Sequence, residues 1–341
     1  MHRFSNSNRN GAALLAVLWL VAGLSAVALT IANTVRGETE SSSTEADGLK
    51  AYYLATGAID RMLLYLERPG SFLYPDKTPL IKPFTRMLSF DFPTGVVIGE
   101  IIPETSKLDV NRANPRDLLN LMLALGVDPP RAEQTVAGIL DWRGSTQGGS
   151  FTLFDQFYLS LTPSFHARHA SLQEIEELLL VRGVTPDLFY GSYTRDAQGN
   201  FVPHAGLRDC LSVYGSAGGP FDVNTVEPAV MEAIGIPPDA TAAIVGLRAA
   251  APIREMGQLA PFRSSGPGVA RLGMEHVEIG YPLAVTLRAT AQLKLSNGQL
   301  SDVRRSVSEL VLFLDSESQL FVADQPPYHI LRWYQNAVAL Q

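Results

Sequence analysis

The chain has a single cysteine, Cys210, among its 341 residues. One thiol excludes an intrachain disulfide and any cysteine-built zinc site. Enzyme signatures are missing as well: there is no P-loop, no Gly-x-Ser-x-Gly elbow, no Rossmann glycine pattern and no His-Glu-x-x-His. No nucleophile–base pair is supported by spacing, so catalysis is not expected. Of six histidines, His166 and His169 are three apart and fit one helical face, where a surface or capping role outweighs a ligand pair. Positive charge is short too, with 27 Lys and Arg against 34 Asp and Glu, a net of −7. That balance gives no support for general binding to nucleic acid or anionic lipid. Charged residues make up only 18% and hydrophobic ones 46%, which suits a packed globular chain of one to three domains.

What the chain has in abundance is one uncharged run, residues 11–32, GAALLAVLWLVAGLSAVALTIA. As a helix it is roughly 33 Å long, enough to cross a hydrocarbon core of about 30 Å. Arg3 and Arg9 precede it, and Arg36, Glu38, Glu40, Glu45 and Asp47 follow. Basic residues stay on the cytoplasmic side, so the large C-terminal part is the exported one. Three readings compete. A secretory signal has a shorter apolar core, of about 7–15 residues, with a small-residue cleavage site after it. A plain single-pass anchor fits the length. The third reading takes the junction itself: a short polar leader, then Gly11, then an unbroken apolar helix. That layout resembles the leader of type IV pilins and type II secretion pseudopilins, which prepilin peptidase cuts after the glycine. The resemblance implies scission between Gly11 and Ala12, with Ala12 becoming the methylated first residue.

Beyond the membrane run, residues 36–47 are polar and rich in Ser, Thr and Glu. Leu49, Tyr52, Tyr53, Thr56, Ile59, Leu63 and Leu66 then recur at spacings of three and four, predicting a helix that ends at Arg68-Pro69-Gly70. Residues 70–95, with several prolines, read as a loop, and residues 96–102 as a strand. An internal repeat follows. LDVNRANPRDLLNLMLALGVDPPRAEQTVAGILDWR begins at Leu108, and FDVNTVEPAVMEAIGIPPDATAAIVGLRA begins 113 residues later at Phe221. Each copy reads Asp-Val-Asn, a proline-started helix, a glycine and an apolar residue leading to Pro-Pro (Gly-Val-Asp-Pro-Pro in the first, Gly-Ile-Pro-Pro in the second) and a second helix. This is a helix-hairpin-helix pattern of the SAM-like type. Such hairpins grip DNA phosphates through backbone N–H groups, but Pro129-Pro130 and Pro237-Pro238 delete donors here. Basic and acidic residues are five against five over 106–143 and two against five over 219–260. Near the end, apolar residues alternate from Leu283 to Leu295, Asn297-Gly298 signals a type I′ turn, and residues 303–314 return as the second strand of a hairpin.

Between the repeats, Ser171-Leu172-Gln173-Glu174-Ile175-Glu176-Glu177-Leu178-Leu179-Leu180-Val181-Arg182-Gly183-Val184-Thr185 predicts a helix capped by Ser171. This string, the two Asp-Val-Asn starts and the closing segment 328–334 resemble the minor pseudopilin K family of type II secretion systems. One further feature agrees. Most pilins carry a glutamate at mature position five, the K subunit does not, and here that position is Ala16.

The resemblance implies an α+β fold: a long transmembrane and amphipathic helix packed on a small antiparallel pseudopilin sheet, with an inserted all-α, SAM-like domain. The implied divisions are a leader 1–11, a transmembrane helix 12–35, and helix, loop and first strand 36–105. The inserted α-domain 106–205, a second helix-hairpin-helix-like unit 206–280 and a C-terminal hairpin and tail 281–341 complete the chain. The family's role is to cap the pseudopilus tip with minor pseudopilins I and J, anchored in the bacterial inner membrane with its bulk in the periplasm. The implied partners are those two proteins, other pseudopilus subunits, prepilin peptidase and the membrane, with no nucleic acid. The small residues Ala16, Ala22, Gly23, Ser25 and Ala26 are the candidates for close helix–helix contact. Family members commonly bind calcium after an Asp-Trp motif. Here Asp141 and Asp155 are the only acidic residues between 134 and 173, so no metal or other cofactor is expected at that loop. The competing functional class is a membrane-anchored helix-hairpin-helix DNA-binding protein of the competence type.

Overall fold

A computed structural model describes residues 7–68, 71–73, 75–77, 84–145, 151–196, 198–263, 273–280, 283–314 and 327–335. One helix, α1 (Ser7–Glu67), leads into β1 (Met87–Phe92) and β2 (Gly95–Pro103). A mostly helical body follows, beginning with β3 (Leu108–Asp109), α2 (Pro115–Ala124), α3 (Pro129–Arg143) and α4 (Leu153–Leu159). After a 3₁₀ turn (Ile175–Leu180) come α5 (Pro186–Tyr190), the hairpin β4 (Ser192–Arg195) and β5 (Phe201–His204), α6 (Leu207–Cys210) and β6 (Leu211–Ser212). A second series runs β7 (Phe221–Asp222), α7 (Pro228–Ala233), α8 (Pro238–Ala250), a 3₁₀ turn (Met256–Leu259), α9 (Ala260–Arg263) and β8 (Val277–Glu278). The chain then returns through β9 (Ala284–Lys294), β10 (Leu300–Phe313) and β11 (Tyr328–Gln335).

Five of these strands form one antiparallel sheet in the order β1-β2-β9-β10-β11. Pro103 of β2 is the register partner of Val285 in β9. Residues 104–284 are therefore spliced into what is otherwise a single strand-to-strand connection. The two parts have separate cores. One contains Ala51, Ile59, Met62, Phe90, Val97, Leu287 and Val307, all from α1 and the sheet. The other draws its buried residues from 108–277 only. Because this body holds three two-stranded sheets, β3-β6, β4-β5 and β7-β8, it is not purely helical, contrary to the all-α expectation.

Helix α1 is uninterrupted from the apolar run into the sheet. Between those ends the helix is exposed, and the hydroxyls of Thr39 and Thr44 donate to the carbonyls of Val35 and Glu40. Its sheet-facing line is Ala51, Ala55, Ala58, Ile59, Met62 and Leu63, all buried. The expected stripe is only partly right: Leu49 and Tyr53 are 56% and 65% exposed. Alanine lets the helix backbone approach the sheet closely, so the buried line is rotated away from Leu49 and Tyr53, while Tyr52 packs at its edge. Strand β1 is a second departure, since residues 70–95 read as loop. Leu88, Phe90 and Phe92 alternate toward the helix, a period-two signal masked by the prolines around it. The β9–β10 hairpin forms as expected, with Val285, Leu287, Ala289, Ala291 and Leu293 buried. Its turn differs. Gly298 alone has positive φ, 81°, and its N–H donates to Leu295 O at 2.9 Å. That is a type I turn followed by a left-handed glycine rather than type I′.

Candidate functional site

The inserted body is built by duplication. In each copy the aspartate that closes a short strand (Asp109, Asp222) is followed two residues later by an asparagine. Asn111 donates through Nδ2 to Leu172 O at 3.0 Å and accepts from Leu172 N at 2.7 Å. Asn224 makes the same pair with Ile253, at 3.0 and 2.8 Å. An arginine ending the second helix completes the device. Arg143 donates to Val110 O and Ala113 O, as Arg248 does to Val223 O and Val226 O. These buried carbonyls follow the strand in a turn that offers them no backbone partner, so the guanidinium satisfies them. The Asp-Val-Asn motif is thus a clamp that fixes each hairpin against the chain downstream of it. Equivalent helices α2 and α7 also meet, and Asn120 Nδ2 donates to Ala233 O at 3.1 Å.

Each hairpin turns on a left-handed glycine, Gly126 at φ 80° and Gly235 at φ 96°, a conformation that suits glycine because it lacks Cβ. In the first hairpin Asp128 caps α3 by accepting from Arg131 N at 3.2 Å. Its carboxylate occupies the N-terminus of α3, where free N–H groups would otherwise attract an anion, and Pro129 and Pro130 supply no N–H. Arg131 turns inward to Gly183 O and Thr185 Oγ1. The Ser171 helix start differs from expectation. The turn there is 3₁₀, it begins after Glu174, and Glu177 Oε1 accepts from the N–H groups of Gln173 and Glu174 at 2.8 and 3.2 Å. Leu172 and Leu178 are nevertheless buried.

The processing residues Gly11 and Ala12 lie inside α1 with no break in the helix between them. Residues 13–46 are exposed, and this is the one helix among the described residues that is long and apolar enough to cross a membrane. At about 3.6 residues per turn, Ala16, Gly23 and Ala26 share a face, Ala22 flanks it and Ser25 lies on the far side. No atom lies within 4 Å of a Cβ placed on Gly23, so that face is open to a neighbouring helix.

Asp141 and Asp155, far apart in sequence, are brought together by a residue that sequence reading assigned to the surface. His169 lies in no helix and is largely buried. Its Nε2 is 2.9 and 3.1 Å from the two carboxylate oxygens of Asp155, and its Nδ1 is 3.1 Å from Asp141 O. Asp155 also accepts from Thr152 N at 2.9 Å and Thr152 Oγ1 at 3.2 Å, while Asp141 Oδ2 is buried without a hydrogen bond. Burial lowers the imidazole pKa, but the bonds to Asp155 and Asp141 O outweigh it and leave His169 above its ordinary value. Burial likewise pushes Asp155 up, against Thr152 and His169, which hold it below the ordinary value. For Asp141 burial wins and its pKa is raised. His166 stays exposed. No sequence spacing signals this trio, because the contacts span 14 and 28 residues.

Residues 103–190 match the family described as type II secretion system protein K. No curated protein matches the chain. Among solved structures, a chain of the GspK-GspI-GspJ complex from the enterotoxigenic Escherichia coli type 2 secretion system is similar at 15% identity. The match has a TM-score of 0.59 and covers 88% of this chain and 100% of that one. The matched family segment holds the first clamp, its hairpin and the Asp141–Asp155–His169 trio. Over residues 103–190, then, the chain is similar to the protein K family of type II secretion systems.

Proposed function

We propose that the chain is a minor pseudopilin that caps the pseudopilus tip of a type II secretion system, together with I- and J-type minor pseudopilins. It is a structural subunit rather than an enzyme, anchored in the inner membrane by α1 with its bulk in the periplasm. Prepilin peptidase would cut it after Gly11, and the face carrying Ala16, Gly23 and Ala26 would pack against neighbouring helices. The observation that carries this reading is the splice: a body with its own core interrupts the β2–β9 connection of a helix-and-sheet scaffold. A head that wide leaves no room for further subunits above it in a narrow filament, which favours the end position. In this reading the duplicated hairpin units are the SAM-like inserted domain. DNA binding is disfavoured because the hairpin donors are deleted by proline and the α3 N-terminus is capped by Asp128.

Co-expression with the I and J subunits of the same system, followed by native mass measurement in detergent, tests the proposal. A particle containing all three chains is expected. The reading fails if I and J assemble with each other while this chain remains alone, and salt-sensitive retention of DNA would then favour the competing class.

A further inference from the structure

The family resemblance brings an expectation of calcium beside the Asp-Trp motif, and the residues present do not fit that ion. Calcium takes six to eight oxygen ligands, usually including several carboxylates. Two carboxylates are available, Asp141 and Asp155, and residues 146–150 (TQGGS) contain none. Both oxygens of Asp155 are already engaged by His169 Nε2, and one of them also by Thr152. The hydrogen-bond partners also settle the ring's protonation. A carboxylate faces Nε2 and a carbonyl oxygen faces Nδ1, and both groups only accept. Each ring nitrogen therefore carries a hydrogen, so the ring is an imidazolium. Asp141 Oδ2, which has no hydrogen bond, is 4.0 Å from its Nδ1. A divalent ion placed between the two aspartates would sit against that positive ring and be repelled.

We propose that His169 is the resident cation of this site, an internal substitute for a metal that neutralises Asp141 and Asp155 and makes the inserted body indifferent to calcium. Asp141 lies in the last turn of α3, Asp155 in the first turn of α4 and His169 on the irregular segment beyond it, so one ring ties three parts of the chain. The backbone agrees. His169 has φ 48°, a left-handed conformation that is uncommon outside glycine, though histidine adopts it more readily than most residues. The inference is independent of the secretion reading, since it concerns how the body is held together.

The test uses the full chain in detergent micelles. Calorimetric titration with calcium chloride should give no binding heat, and the melting temperature should be the same in EDTA as in millimolar calcium. His169→Ala should melt several degrees lower in both. Saturable calcium binding, a melting temperature that falls in EDTA, or a His169→Ala protein as stable as wild type would each overturn the proposal. If His169→Ala does not fold, the calcium titration of the wild-type chain still decides.

Discussion

Replacing residues 104–284 by a two-residue turn between Pro103 and Val285 is expected to leave a folded, membrane-anchored subunit that is no longer confined to the tip. The two residues are register partners in neighbouring antiparallel strands, so a tight turn joins them as an ordinary hairpin. None of the removed residues belongs to the core between α1 and the sheet. What the cut does remove is a polar interface. Thr286 Oγ1 donates to Glu104 Oε1 at 2.7 Å, Tyr334 donates to Glu174 at 2.8 Å, and Arg86 pairs with Glu227 at 3.1 Å. A cleft of about 740 Å³ lies between the two bodies. A partly exposed ion pair such as Arg86–Glu227 stabilises little, about 0–1 kcal/mol, and the two hydroxyl–carboxylate bonds about 1.5–3 kcal/mol each. Leu310, buried on that face, loses cover, and Leu310→Thr in the shortened chain offsets it. Gold labelling of assembled pseudopili should then find the shortened subunit along the shaft, whereas the full chain marks the ends. A shortened chain that stays at the end would refute the steric argument, and one that fails to fold would refute the two-core description.

The second large effect is expected at Glu309. This β10 residue is 2% exposed, its Oε2 is buried without a partner, and it faces α1. Burial, with the like charge of Asp60 second, raises its pKa from 4.5 to about 7. Tyr328 on β11 is raised as well, by burial first and then by Glu67, Glu309 and Asp60. The direction follows from proton counting. Between 4.5 and about 7 the folded state binds more protons at Glu309 than the unfolded state, so stability falls as pH rises and levels off above the folded value. Such a shift corresponds to about 3 kcal/mol. Glu309→Gln removes the charge and keeps the shape, so it should stabilise the helix–sheet core by up to about that amount at pH 8 and change little at pH 4.5. Thermal melts of both proteins at the two pH values check this, and a Gln variant equally destabilised at both would contradict it.

Much of this architecture is legible in the chain because its signals are local. The uncharged run, the Arg68-Pro69 stop, the proline-started helices and the left-handed glycines each act within a few residues. The duplicated Asp-Val-Asn is visible too, but its purpose is not. The asparagine's backbone partners lie 61 and 29 residues downstream, and only the fold reveals that Arg143 and Arg248 close the same clamp. The same limit explains the site. His169 meets Asp141 and Asp155 through a segment without regular structure, so no helical spacing announces it. The α1 stripe departs from the pattern for a different reason: apolarity alone favours Leu49 and Tyr53 over alanine, while the sheet selects the side chains that allow the closest approach, Ala51, Ala55 and Ala58.

The measurement closest to the central claim is the mass of the N-terminal peptide from cells with and without prepilin peptidase. A pilin-type subunit loses residues 1–11 and gains a methyl group on Ala12 only when the peptidase is present. An intact N-terminus in both strains, or removal of the whole apolar run by signal peptidase, would contradict the pseudopilin account.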